Sequence, residues 1–448
     1  MDLHATLKRI DEKGWVRVSV SEPLQTNEEM QRAVDALPEG YWDFASVDTK
    51  EWTHGYHAYP AMMIPQVARS LIQFVRDRHP AIRTLFDPFM GSGTSLVEGI
   101  LAGLAVTGSD LNPLSRLLAR AKTTAWEPEV LHRTAAALTR QVSGLHVDER
   151  DWPDFKNLTF WFKPAVINDL VRLKRVIQEG VPDSQKPFFW VAFSDTVRWV
   201  SNSRNAEFKL YRLDDRRLES WNPDTLGVFH KTLERNLRGN ARFYERPRTR
   251  ADIQAFDARQ LGFEEGVFDL MVTSPPYGDS RTTVAYGQFS RLSLEWLDLA
   301  EPVDPLPRHL DQAMLGGKPQ QGGGRELASP VLTRALTDIG DRDPVRAREV
   351  WTFYQDLDRS LVELARVLRP GGFQCWVVGN RTVKGVQLAT DRIIMELSEP
   401  YGLEPQAVFS RSIPAKRMPK ENSPSNETGK KGSTMNGEQI FILRKRGS

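Results

Sequence analysis

The sequence predicts an α/β protein whose doubly wound, nucleotide-binding type of sheet is interrupted by a long, largely helical insertion. Three observations predict it. A strand pattern at Ile82–Phe86 runs into a glycine turn, a helix and a second strand at Ala105–Gly108, which is half of such a fold. Strand patterns return at Asp252–Asp257 and Phe268–Val272. Between these halves lies a segment whose apolar residues Val166, Leu170, Leu173 and Ile177 recur at helical spacing.

Composition bounds the reading. The chain has 448 residues, 40% apolar and 26% charged, as in ordinary water-soluble domains, and exceeds one typical domain. The single cysteine, Cys375, excludes an internal disulfide framework and suits a reducing compartment. The first residues lack the charged-then-apolar pattern of a secretory leader, and no apolar run approaches a membrane span. The expectation is therefore a cytoplasmic protein with no membrane partner. Lys and Arg total 60 against 58 Asp and Glu, so any nucleic-acid contact must rest on a local basic face.

Taken in order, residues 1–50 are polar and carry no motif. The organisation expected is a first half of the sheet domain with its N-terminal segment (1–121), a helical insertion (122–250) that is a candidate for substrate recognition, and a second half (251–448). In the first half the helix runs from Ser95 to about Ala102 and the next strand ends at Asp110. In the last part, 301–345 is rich in Pro and Gly and reads as mobile loop. Trp351–Leu368 reads as an amphipathic helix stopped by Arg369-Pro370-Gly371-Gly372, followed by a buried strand at Phe373–Val378. Gln406–Ser410 and Gln439–Leu443 are expected to pair around a polar, basic loop at 414–437.

Two short stretches carry chemistry. The first is Asp87-Pro88-Phe89-Met90-Gly91-Ser92-Gly93-Thr94. Glycine lets the backbone turn sharply and approach a ligand with no Cβ between. Asp110, followed by Leu111 and Asn112, lies about 20 residues on at a strand end, where a carboxylate can accept from both hydroxyls of a ribose. The turn lacks full Gly-x-Gly-x-x-Gly spacing and any Gly-Lys-Thr, which disfavours nicotinamide cofactors and nucleoside triphosphates. By itself it also fits a plain tight turn.

The second stretch is Ser274-Pro275-Pro276-Tyr277, directly after an apolar strand. Consecutive prolines remove backbone donors and stiffen the turn, leaving carbonyls free to accept. An exocyclic amino group on a base is a poor nucleophile, because its lone pair is delocalised into the ring. A serine oxygen and a proline carbonyl can bind its two hydrogens and aim that lone pair at an electrophilic methyl carbon, while Tyr277 can stack on an extruded base.

Together these stretches resemble the amino-methyltransferases of DNA modification, above all the cytosine-N4 group. The resemblance covers about half of the chain. It implies S-adenosylmethionine as cofactor, DNA as partner with a possible cognate restriction endonuclease, and a seven-stranded, mostly parallel sheet with a reversed last strand. By the same resemblance Tyr59 and Pro60, in His57-Ala58-Tyr59-Pro60-Ala61-Met62, close over the methionine part of the cofactor, and Asp257-Ala258 binds its adenine. Leu364–Gly372 is similar to the helix and turn before the fifth strand. The long segment precedes Asp257, whereas recognition regions in better-known arrangements fall later. Serine where adenine enzymes usually carry aspartate favours cytosine N4 over adenine N6. Guanine-N2 methylation of RNA and a catalytically silent, cofactor-dependent DNA-binding module are the other readings.

Basic tracts supply the candidate nucleic-acid contacts. Asp195–Arg250 holds 13 basic and 8 acidic residues, with Arg198, Arg204, Lys209 and Arg212 interleaved with aromatics; Arg411–Arg446 holds 9 and 3, including Lys416, Arg417, Lys430 and Lys431. A solvated helix face and a polar loop are the plain alternatives. Trp296 and Trp376 read as core, and His57 fits a satisfied structural histidine equally well. Cys375 sits mid-strand with no Pro-Cys dipeptide anywhere, which argues against covalent attack of the C5-methylating kind. No metal site is expected, and the chain is read as a monomer or dimer.

Overall fold

The computed structural model describes residues 26–204, 209–246, 249–280, 282–297, 307–318, 326–413 and 437–447. It also describes Leu299 and the short strands Arg9–Ile10, Val16–Arg17, Glu421–Asn422 and Gly432–Ser433. Seven strands form the main sheet: β1 (Thr84–Asp87), β2 (Ala105–Ser109), β3 (Ala251–Gln254), β4 (Phe268–Thr273), β5 (Leu368–Val378), β6 (Leu403–Ser412) and β7 (Gly437–Lys445). Their order is β6-β7-β5-β4-β1-β2-β3. Pairs among β1 to β5 are parallel, whereas β7 runs antiparallel to both β5 and β6. The sheet is thus mostly parallel with its last strand reversed, as expected from the resemblance.

Alternation along the strands explains their apolar runs. Leu85, Leu270, Val272, Cys375 and Ile442 pack on one face, with α2 (Pro65–Arg78) and α3 (Thr94–Leu101). Phe86, Met271, Trp376 and Phe441 point to the other, against α14 (Pro344–Val367) and α15 (Thr390–Ser398). A sheet covered on both faces needs apolar residues at every position. The pairing expected of the C-terminal strands is present, with Ala407 opposite Ile442 and Phe409 opposite Ile440. The exposed edge of β6 is blunted by α1 (Glu28–Asp35), whose Gln31 side chain bonds both the N–H and the C=O of Val408.

Between β2 and β3 the chain makes α4 (Pro113–Thr123), α5 (Pro128–Val142), α6 (Leu158–Trp161), α7 (Pro164–Gly180), α8 (Lys186–Val200), α9 (Asp215–Ser220) and α10 (Thr225–Tyr244). Phe188, Phe189, Phe193 and Leu170 build a separate apolar core there, which also takes in Phe289, Leu292 and Trp296 of α11 (Tyr286–Trp296). Trp296 and Trp376 are fully buried.

One expectation fails. The stretch read as loop at 301–345 contains α12 (Leu310–Ala313) and α13 (Pro330–Gly340), and α14 begins at Pro344 rather than near Trp351. Ser329 caps α13 by accepting from Leu332 N–H, with Pro330 in the first turn, and Val331, Leu332, Ala335 and Ile339 bury one stripe. The Pro and Gly content masked a capped helix start.

Candidate active site

Because β1 to β4 are parallel, their carboxyl ends share one edge of the sheet, and the chain reverses its strand order between β1 and β4. Ligands of open α/β sheets bind at that point. Residues following four consecutive strands line one cleft, whose void, mouth included, is about 860 Å³. After β1 come Asp87–Ser92, Thr94 and Ser95; after β2, Asp110 and Leu111; after β3, Phe256–Ala258; after β4, Ser274 and Pro276. Tyr59–Met63, Tyr286, Met314 and Leu315 complete the lining, with the Tyr59 and Tyr286 rings 5.9 Å apart. The glycine turn and the serine–proline corner therefore face a shared space.

The turn is tightly specified. Gly91 (φ 47°) gives its N–H to the Asp110 carboxylate at 3.0 Å, and a Cβ there would sit 3.3 Å from the Tyr59 ring. Gly93 (φ 78°) precedes α3, and a Cβ would come within 3.1 Å of Ala119 Cα on α4. It supports the turn from behind the cleft. The other Asp110 oxygen accepts from Asn112 N–H at 2.8 Å, and burial raises its carboxyl above the usual range. Asn112 also stands behind the wall. It caps α4 through Leu114 N–H and donates to Ser290 Oγ at 2.7 Å and Tyr59 Oη at 3.3 Å.

Asp87 joins the two loops. It accepts from Thr273 Oγ1 at 2.6 Å, from Phe89 N–H at 3.1 Å and from the Ser95 hydroxyl. Burial pushes its carboxyl up to about 6, against the pull of these three bonds. The last residue of β4 and the last of β1 are thus tied side chain to side chain.

The serine–proline corner differs in part from expectation. Ser274 and Pro276 face the cleft; Pro275 and Tyr277 do not line it. The Tyr277 hydroxyl donates to Glu438 Oε1 at 3.0 Å and lies 3.3 Å from Ser274 Oγ. Burial, with the Glu438 charge adding to it, holds the phenol well above its ordinary pKa. The stacking expected of Tyr277 is therefore not supported, because its ring is drawn toward β7. The aromatic rings that do line the cleft are Tyr59, Phe89, Phe256 and Tyr286.

His57 is buried between Ala58 O and Ser194 Oγ, the latter at 2.9 Å, and burial lowers its pKa. It is a structural histidine that seats the Tyr59–Pro60 segment on α8. Asp257 lines the cleft but is paired with Arg259 at 2.6 Å, which also reaches Asp356 at 3.1 Å.

Among the basic candidates, Arg198 is a correction. It is buried, its guanidinium stacks 3.8 Å from the Phe289 ring centroid, and burial lowers its pKa to about 10. An arginine enclosed in this way offers no surface to a phosphate. Arg204 and Arg212 lie on two antiparallel segments bridged at Ser203 and Arg212, where Arg204 N–H bonds Tyr211 O and Arg212 sits over Phe160. Lys209 neighbours the Asp311 carboxylate. Lys416, Arg417, Lys430 and Lys431 lie outside the described residues. Among the described residues, no cluster of side chains suits a metal ion, and no helix is long and apolar enough to cross a membrane.

Sequence reasoning missed Tyr286, Met314 and Leu315 on the cleft wall, the Thr273–Asp87 tie and Glu438. The Thr273–Asp87 bond had a trace in the sequence, since each residue ends an apolar strand that opens a motif; Glu438 had none.

No family model matches the chain. The chain is 44% identical over 444 residues to the type II methyltransferase M.MvaI of Kocuria varians, an alignment that covers 93% of this chain and 98% of that protein. A shorter match, 38% over 87 residues, joins it to the type II methyltransferase M.MjaII of Methanocaldococcus jannaschii, covering 18% of this chain and 16% of the other. A SAM-dependent methyltransferase from Methanosarcina mazei is a distant structural likeness, with 11% identity, a TM-score of 0.30, and coverage of 83% of this chain and 98% of the other.

Proposed function

Since the chain belongs to the type II methyltransferases, we propose that it uses S-adenosylmethionine to methylate the exocyclic N4 amino group of cytosine in DNA. The observation that carries this reading is the single cleft walled by both the Asp87–Ser95 turn with Asp110 and the Ser274–Pro276 corner.

The residues present fit the cofactor. Asp110 offers carboxylate lone pairs to ribose hydroxyls, Gly91 leaves room where a Cβ would crowd Tyr59, and Phe89 and Phe256 give flat apolar walls for a purine. Asp257 reaches the same wall with Arg259 already on it, so Ala258 and the local backbone are the better adenine contacts. When bound, the cofactor would supply a sulfonium-activated methyl group to the base nitrogen, whose surplus proton would pass to water.

The protein's own work is alignment. Ser274 Oγ, on the cleft wall, accepts an amino hydrogen, which turns the nitrogen lone pair toward the methyl, and the stiff Pro275-Pro276 turn holds that serine in place. The target base leaves the duplex to reach this depth. We assign DNA contact to the helical segment within 122–250. There Phe160, Trp199 and Tyr211 are large exposed aromatics, and Arg204 and Arg212 lie on two bridged antiparallel segments.

The experiment is incubation of unmethylated DNA with labelled S-adenosylmethionine, digestion to nucleosides and chromatography. Label in N4-methyldeoxycytidine supports the reading. Label in N6-methyldeoxyadenosine moves the target to adenine, and no label in DNA at proven cofactor occupancy rejects methyl transfer to DNA.

A further inference from the structure

Ser274 can hold a target amine as an acceptor only when its own proton points away from the cleft. A chain of polar side chains on β6, β7 and the corner sets that direction. Tyr277 donates its proton to Glu438 Oε1 at 3.0 Å. A phenol has one proton, and burial keeps this one in place. What the Tyr277 oxygen offers Ser274, 3.3 Å away, is therefore a lone pair. Ser274 must donate to it, which leaves the serine lone pairs facing the cleft that Ser274 lines. Catalytic hydrogen bonds of this length in ligand-free sites tighten when substrate binds.

Glu438 is itself fixed. Arg411 is its direct partner across the β6–β7 pair and binds its second carboxylate oxygen. Arg411 is 3% exposed and is anchored by Trp42 O at 2.8 Å and Asp43 O at 3.1 Å. The guanidinium has only donors, so it always demands an acceptor from residue 438. We infer that Glu438 is a positioning residue which, acting through Tyr277, fixes the polarity of the Ser274 hydroxyl so that the serine accepts from the target amine.

This inference rests on the amine-holding role of Ser274 proposed above. The test is Glu438→Gln, which preserves shape. Arg411 will take the new carbonyl, so the amide NH₂ faces Tyr277. Tyr277 must then accept, its proton turns to Ser274, and the serine proton is driven into the cleft against the N–H of the base. The expected result is a fall of about tenfold or more in kcat. Cofactor affinity and melting temperature stay near those of the parent enzyme. In a Tyr277→Phe background the chain is already cut, so E438Q adds no further loss.

A full-rate E438Q enzyme, or the same fold-loss in both backgrounds, overturns the inference. If E438Q does not fold, Y277F alone decides: its unanchored serine hydroxyl lowers kcat with little change in KM, and a wild-type rate overturns the relay. A parent enzyme that methylates no base amine overturns the function itself, whereas an active parent with an indifferent E438Q removes only the role of Glu438.

Discussion

Thr273→Val tests how far the two loops depend on one another. Valine keeps the branched shape and replaces only the hydroxyl, so packing is preserved while Asp87 loses a 2.6 Å hydrogen bond. Both residues are buried, at 1% and 3% exposure, and water cannot readily take the vacated place. A hydrogen bond to a charged group contributes about 1.5–3 kcal/mol, a factor of roughly 10–150 in the folded-to-unfolded ratio. The cost should also depend on pH in a definite direction. Burial pushes the Asp87 carboxyl up to about 6, and the Thr273 bond is one of the influences pulling it down. That bond favours the charged form, so its loss costs most above about pH 6, where Asp87 is ionised, and least below about pH 4, where it is protonated in folded and unfolded chains alike. Melting midpoints of parent and T273V should diverge more at pH 8 than at pH 5. Thr273→Ser, which retains the hydroxyl, should track the parent. A T273V loss within about 0.5 kcal/mol at both pH values, or a T273S enzyme that falls as far, would refute the coupling.

Three other outcomes are expected. Asp110→Ala should weaken S-adenosylmethionine binding in calorimetry, whereas Ser274→Ala should leave that affinity intact and reduce kcat; the reverse pattern would exchange the two roles. Gly93→Ala places a side chain at φ 78° and 3.1 Å from the Ala119 backbone, so it should cost at least about 1–3 kcal/mol in thermal unfolding, and parental stability would count against the close α3–α4 approach. Cys375 is fully buried and its thiol is pushed up by burial. Ellman's reagent should therefore leave the native chain unlabelled and titrate one thiol only after denaturation.

What could be read in advance was what is local. The turn from Asp87 to Thr94 and the corner at Ser274 declare themselves because glycine and proline constrain their own backbone. The strands at Phe268 and Phe373 do so because burial on both faces leaves uninterrupted apolar runs. What could not be read depends on who arrives opposite. Arg198 looked like a member of a basic tract until Phe289, from beyond the insertion, covered its guanidinium. Tyr277 looked like a stacking platform until β7 brought Glu438 to its hydroxyl. The helix at Pro330–Gly340 was lost among glycines and prolines, although its Ser329 cap and its buried stripe are both present in the sequence.

The pairing of Val106 with Ala251 at the far border of the sheet bears on how the molecule assembles. A border strand so remote along the polypeptide from its neighbour faces a severe search, because every intervening residue enlarges the loop to be closed. Early collapse of the aromatic-rich helices from Pro128 to Tyr244 would shorten that search by bringing the two segments within reach. Amides of Ala251–Gln254 are therefore expected to gain protection late in refolding, after those of Phe188–Val200, with the β3 end of the cleft finished last.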